Sequence, residues 1–360
     1  MKIAIVAPIV ESIPPKKYGG TERVVHWLTE GLVKRGHEVT LFASGDSKTS
    51  AKLKSLIPKH LRQYQSENVY RPNVQNLMHA GFAYSSTSGF DIIHDHFSLP
   101  SLPTANMSKV PVLVTWHGAF DKETAEYFSL LNKPFLTGIS ESQISYLNKY
   151  PKTNLLGKVY NGLNFKKYKP GRSPENFLLF AGRIDPEKGP HLAIEAAVKL
   201  KMKLVIAAKY DSQIPHIKLY FEKYIKPKLK LHRKDVKYIG ELSEESLINL
   251  FQRALCTLHP TTWPEPFGLT IVQAMASGCP VIANNLGSIP EIIEYAKTGY
   301  VVKNMKETVR AIKNIHKISR QYCHEYSVNT FSDNKMVTEY EKLYNKILNL
   351  HNHKKNRLAL

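Results

Sequence analysis

Two cations, Arg183 and Lys188, stand in one short loop, Gly182-Arg183-Ile184-Asp185-Pro186-Glu187-Lys188-Gly189, directly after the apolar run Phe177-Leu178-Leu179-Phe180-Ala181. A carboxylate, Glu265, stands in a second loop, Trp263-Pro264-Glu265-Pro266-Phe267-Gly268. That loop opens a helix-like run that ends at Ser277-Gly278, where glycine suits a left-handed cap. Arginine suits bidentate contact with phosphate, and lysine supplies a point charge. A carboxylate accepts from hydroxyls, and the N–H groups of Phe267, Gly268 and Leu269 at a helix start attract anions. These residue types fit a ligand that carries both hydroxyls and phosphates. The plain alternatives are a surface ion pair of Arg183 or Lys188 with Asp185 or Glu187, and a Glu265 that only favours the helix dipole.

Other candidates also follow apolar runs. Gly19 and Gly20, in Tyr18-Gly19-Gly20-Thr21-Glu22, would let backbone approach a ligand closely, or simply lead a helix with Thr21 as its cap. His117 follows the run 110–115, and Asp95 and His96 follow 90–94. Glu291 closes Gly287-Ser288-Ile289-Pro290-Glu291 and is a candidate for closing the pocket. Cys256 and His259 have C-x-x-H spacing, but no second pair completes a zinc site, so no metal is expected. The three cysteines, Cys256, Cys279 and Cys323, read as reduced buried thiols rather than a disulfide framework.

The elements that must position these residues alternate. Strands are expected at 2–7, 38–43, 90–94, 110–115, 135–139, 155–160, 177–181, 204–208, 236–239, 254–258, from Pro280 through Ala283, and at 300–302, with helical stretches between them. Val24, Val25, Leu28, Leu32 and Val33 fall at helical spacing before Gly36. Helices are also expected at 192–200, after Ser243, at 305–319 and at 331–350. The polar stretch 46–75 has no clear period. Alternation of this kind indicates α/β architecture with parallel sheets, and 360 residues suffice for two domains. A linker rich in Pro and Gly, 161–175, separates two doubly wound Rossmann-like domains, 1–165 and 166–330. Residues 331–360 are expected to hold a last helix and a basic tail. The carboxyl ends of both sheets are expected to face a cleft.

The first loop is not a G-x-G-x-x-G fingerprint, so a nicotinamide cofactor is not indicated. No apolar run approaches the ~20 residues that span a bilayer, and the few, reduced cysteines make a cytoplasmic location the expectation. With 50 Lys and Arg against 30 Asp and Glu, the chain carries +20. That excess attracts anions: sugar nucleotides, anionic headgroups at the inner face of a membrane or, less in keeping with the absence of any recognisable module, nucleic acid. The clusters at 226–234 and 353–357 also read simply as solvated surface and tail.

The run from Pro264 through Ala283 resembles the signature of the retaining GT-B glycosyltransferases of the large glycosyltransferase family 4 (glycosyl transferases group 1). Three stretches agree in order: Tyr18-Gly19-Gly20-Thr21-Glu22 with the family's glycine loop, Val159-Tyr160-Asn161-Gly162 with the segment entering its linker, and the loop 181–189 with its phosphate clamp. The resemblance implies metal-independent transfer of a hexose from a nucleotide sugar, a UDP-sugar above all, without a cofactor. Retention by a front-side path would let the leaving phosphate take the acceptor proton. It implies that Arg183 and Lys188 face the diphosphate, that Glu265 accepts from the donor sugar, and that His117 lies near that sugar. Phe267, Gly268, Leu269 and Thr270 complete the donor loop, with Gly19 and Gly20 near the diphosphate or the acceptor, and Asp95 and His96 shape the acceptor side. The resemblance also implies that 1–165 is the acceptor-side domain, that 166–330 binds the nucleotide sugar, and that the last helix returns to the first domain. The acceptor itself, whether lipid, polysaccharide or small molecule, is not implied. The family places a second glutamate on the ribose hydroxyls, where this chain has Gln273, an uncharged acceptor that also donates. That exchange keeps a catalytically weak or non-catalytic sugar-nucleotide or glycan-binding protein open, beside an epimerase of the same architecture.

Overall fold

The computed structural model describes residues 1–63 and 71–358. Residues 64–70 of the polar stretch lie outside the described residues, as do the side chains of the basic tail beyond His353. The chain divides into two units, residues 1–164 with 333–360, and residues 165–332. Both are α/β.

In the first unit, seven strands form one sheet: β1 (Lys2–Val6), β2 (Glu38–Phe42), β3 (Lys52–Lys54), β4 (Ile92–Asp95), β5 (Val112–Thr115), β6 (Phe135–Gly138) and β7 (Leu155–Lys158). Their order is β3-β2-β1-β4-β5-β6-β7, with every pair parallel. The second unit has six: β8 (Phe177–Arg183), β9 (Lys203–Lys209), β10 (Val236–Gly240), β11 (Cys256–His259), β12 (Val281–Asn284) and β13 (Gly299–Val302). Their order is β10-β9-β8-β11-β12-β13, again parallel throughout. Strands covered on both faces read as continuous apolar runs. Ile3 through Ala7 and Leu178 through Ala181 are buried accordingly.

In each sheet the order reverses once, at β1/β4 and at β8/β11. Open parallel sheets bind ligands outside the carboxyl ends of their strands at such a reversal. The carboxyl ends of β8 and β11, with the segments that follow them, carry Arg183, Lys188 and Glu265; those of β1 and β4 carry Gly19, Gly20, Asp95 and His96.

The helix Gly20–Lys34 buries Val24, Val25, Leu28 and Leu32. Its cap is Gly19, with no side-chain hydrogen bond, so the expected role of Thr21 as cap is not realised. The helix Met305–Asn314 ends earlier than expected, in a single 3-10 turn at Ile315–Lys317. An unexpected helix follows, Arg320–Thr330, which buries only Cys323 and Ser327 and so leaves little apolar period to read. The last helix, Asp333–Leu358, buries Met336, Val337, Tyr340, Tyr344 and Ile347 within the first unit. Val337 packs where a side chain at Gly31 would stand, 2.5 Å from its position. Among the described residues no helix is long and apolar enough to cross a membrane.

Candidate functional site

The second unit joins its two candidate loops by hydrogen bonds. The Thr262 amide donates to the Glu187 carbonyl at 2.8 Å, and Thr261 Oγ1 donates to the same oxygen at 2.9 Å. Gly189 has φ +69°, and a Cβ there would sit 2.2 Å from the Pro260 carbonyl oxygen. Only glycine permits this approach at that φ. The cation loop and the carboxylate loop therefore hold one another in place.

Glu265 is the centre of the arrangement. Lys188 Nζ donates to its Oε2 at 2.5 Å, and His259 Nε2 and Trp263 Nε1 each reach the same oxygen at 3.3 Å. A carboxylate only accepts, so His259 carries its proton on Nε2. Lys188 also lies over the Trp263 ring, 4.9 Å from its centre. Burial alone would raise the Glu265 pKa. The hydrogen bond from His259 and the charge of Lys188 override it and hold the group at about 2. All three donors meet at Oε2. This leaves Oε1 as the atom that can accept from a ligand hydroxyl.

The next turn supports this placement from below. The Ser288 amide donates to the Glu265 carbonyl at 2.9 Å. Gly287, at φ +62°, packs so closely on Glu265 that a Cβ would fall 2.3 Å from its carbonyl oxygen. Beyond Glu265 the helix Leu269–Ala276 starts, with Gly268 as cap. The amides of Leu269 and Thr270 open it, where no intrahelical acceptor exists.

Arg183 ends β8. Its Nη2 lies 3.6 Å from Asp185 Oδ2, which is the ion pair that the plain reading anticipated, and its Nε is buried without a partner. Donor capacity therefore remains for an anion. Lys188, by contrast, pairs with Glu265 rather than with Asp185 or Glu187. An ammonium has three donors, so one bond to Glu265 leaves two. Gln273 is buried on the helix and donates from Nε2 to Tyr168 Oη at 3.0 Å. Glu291 stands in the short helix Ile289–Ile292 and is half-buried.

In the first unit, Gly19 packs against Pro15; a Cβ there would lie 2.6 Å from Pro15 Cβ. Asp95 is fully buried and engaged within its own surroundings: Oδ1 accepts from the amides of Phe97 and Ser98, and Oδ2 from Tyr84 Oη at 2.6 Å. His96 Nδ1 lies 2.9 Å from His117 Nε2, with the rings stacked. Burial pushes the His117 pKa down to about 4, and burial together with His94 and His117 pushes that of His96 well below the usual range. These histidines are therefore neutral at pH 7. His94 joins them to the last helix: its ring nitrogens meet Tyr344 Oη at 2.7 Å and Thr115 Oγ1 at 2.8 Å, and Thr115 Oγ1 meets Tyr340 Oη at 3.1 Å.

Several of these partners carry no motif of their own. His259 and Trp263 are in plain view beside Glu265, yet only proximity in space shows that both turn to one oxygen. Tyr168 and His94 left no sequence signal beyond residue type, and Gly287 was visible only as the start of the run that ends at Glu291.

Comparison with known proteins gives the family and the fold. Residues 18–151 match the model of Glycosyltransferase Family 4, and residues 164–330 match that of Glycosyl transferases group 1. An uncharacterised glycosyltransferase of Methanocaldococcus jannaschii is 25% identical over 352 residues, covering 83% of this chain and 84% of that protein. Among solved structures, sucrose-phosphate synthase of Thermosynechococcus elongatus superposes with a TM-score of 0.81 at 18% identity, covering 97% of this chain and 99% of that one. The Anabaena protein HepE, solved in complex with UDP and glucose, superposes with a TM-score of 0.71 at 16% identity, covering 96% and 100%. With both family models matched in sequence along one chain, over two parallel sheets of the GT-B kind, the protein is a glycosyltransferase of the group 1 family.

Proposed function

We propose that this enzyme transfers a hexose from a nucleoside-diphosphate sugar to an acceptor, with retention at the anomeric carbon and without a metal. The observation that carries the reading is the division of labour on Glu265. Oε2 is anchored by Lys188, His259 and Trp263, and Oε1 is left to accept from a sugar hydroxyl. Arg183 and the remaining donors of Lys188 stand on the adjoining loop for the diphosphate. Cleavage of the glycosidic bond gathers negative charge on the leaving phosphate, so fixed cations there stabilise the transition state more than the ground state. The leaving phosphate is itself the base for the acceptor hydroxyl. His117, neutral because it is buried, would serve as a hydrogen-bonding group to a sugar hydroxyl rather than as a cation.

The UDP and glucose bound by the Anabaena neighbour support a UDP-sugar as the first donor to try. The charge of +20 supports an acceptor or a docking surface that is anionic, such as the inner face of a membrane. The test is incubation with a panel of UDP-, ADP- and GDP-hexoses, reading nucleotide release and the anomeric configuration of the product. Release with retention is expected from one donor class. No release from any donor, by the wild type or by Gln273→Glu, would end the proposal, and an inverted product would end its stereochemical part.

A further inference from the structure

Gln273 is where this chain departs from the pattern it resembles, and its surroundings compensate for the change. We propose that Tyr168 and Glu244 are positioning residues that set the polarity of the Gln273 side chain, so that its carbonyl oxygen is the atom offered to the ribose hydroxyls of the donor. This inference rests on the nucleotide-sugar reading above.

The protons available on these three side chains fix the direction of each bond. Tyr168 Oη lies 2.8 Å from Glu244 Oε1 and 3.0 Å from Gln273 Nε2. A carboxylate can only accept, and a phenol has one proton. That proton goes to Glu244. The Tyr168 oxygen must then accept from Gln273, which fixes the amide nitrogen against Tyr168. Turning the amide over would set two oxygens against each other with no proton between them. Glu244 is the first residue of the helix Glu244–Arg253, where the helix dipole favours a charged carboxylate. Tyr168 cannot swing away: it is 3% exposed and packs on Ile248, Phe165 and Ala276, the last of these one turn beyond Gln273 on the same helix. Among the described residues the Gln273 side-chain carbonyl oxygen accepts no hydrogen bond. A glutamate at this position would present an acceptor whichever way it turned. A glutamine does so only if something chooses its orientation, and here a tyrosine held by a second carboxylate makes that choice.

The test is calorimetric binding of UDP and ADP, of their 2′-deoxy and 3′-deoxy forms, and of inorganic pyrophosphate. The wild type should bind the ribonucleotide roughly three- to ten-fold more tightly than a deoxy form, as one neutral hydrogen bond provides. Tyr168→Phe keeps the ring and removes the oxygen. It should bring that ratio to about one while leaving pyrophosphate affinity unchanged. Glu244→Gln, which frees the phenolic proton, should lower the ratio in the same direction and serves if the Phe variant does not fold. Tyr168→Phe combined with Gln273→Glu should restore the ratio, because a carboxylate needs no orienting partner. A ratio unchanged within two-fold in Tyr168→Phe or Glu244→Gln, a parallel loss of pyrophosphate affinity, or no restoration by Gln273→Glu would each overturn the positioning role. Wild-type protein that binds no nucleoside diphosphate would overturn the donor reading itself, and this inference with it.

Discussion

Replacing Lys188 by Met keeps the length of the side chain and removes its charge, so it isolates the pair with Glu265. The two groups are 2.5 Å apart, with side chains only 12% and 10% exposed. At an effective dielectric of ~20 their bare attraction is roughly 6 to 7 kcal/mol, most of which offsets the desolvation of both charges. Removing one partner leaves the other buried and unpaired, at a cost of about 3 to 5 kcal/mol. The carboxyl itself leads to a similar size. Holding Glu265 at about 2 instead of its ordinary 4.5 is worth roughly 3 kcal/mol. Lys188→Met should therefore lower the unfolding free energy of the second unit by about 3 kcal/mol at pH 7, measured by urea denaturation. Glu265→Gln should cost a similar amount. Because the residues touch, the double variant should be less destabilised than the sum of the singles, by roughly 0.5 to 3 kcal/mol. The sign with pH is also set. The folded-state pKa of Glu265 is depressed, so its contribution is present above 4.5 and lost as pH falls towards 2. Lys188→Met should flatten that acid limb. Turnover should fall by about 10² to 10³, the usual loss for removing a preorganised charge. Additivity of the two substitutions within ~0.5 kcal/mol, or an acid limb unchanged in Lys188→Met, would refute the reasoning.

Three further outcomes follow from the structure. His79 and His117, both in the first unit, are held by burial to about 4 against an ordinary 6.5, so their contribution is present above 6.5 and lost as pH falls towards 4. Between pH 7.5 and pH 5.0 the two should remove about 4 kcal/mol from the stability of that unit; a loss under about 1 kcal/mol in denaturant titrations would contradict it. Arg320 donates to the carbonyls of Gly171, Phe251, Gln252 and Ala254, closing the end of the helix Glu244–Arg253, so Arg320→Met should destabilise the second unit by about 2 to 4 kcal/mol, seen as a lower urea midpoint. Gly287→Ala forces a methyl against the backbone of Glu265 and should cut turnover by about 10² or more with the unit still folded by circular dichroism; near-normal turnover would show that the backbone of Glu265 does not depend on this contact.

Much of the architecture was legible along the chain. Runs such as 177–181 and 2–7 are apolar without alternation because both faces of a parallel strand are covered, and that pattern survives in one dimension. The motif segments were legible as well: Arg183 ends β8, and Lys188 and Glu265 lie in the segments that leave β8 and β11, where parallel strands bind ligands. The short helices Pro215–Tyr220 and Lys226–Leu231 and the helix Arg320–Thr330 were not, since their buried residues are few. Residue types likewise specified that a cation and a carboxylate were available, but not that they pair with each other. Lys188 and Glu265 are 77 positions apart and meet only because β8 and β11 are neighbours at the reversal of the sheet. The same holds for Gln273. Its identity is a property of the sequence, and it announces an exchange of charge for an amide. Which end of that amide is free was decided by Tyr168, 105 positions away, and by Glu244 behind it, because the direction of a hydrogen bond depends on where protons and acceptors meet in space.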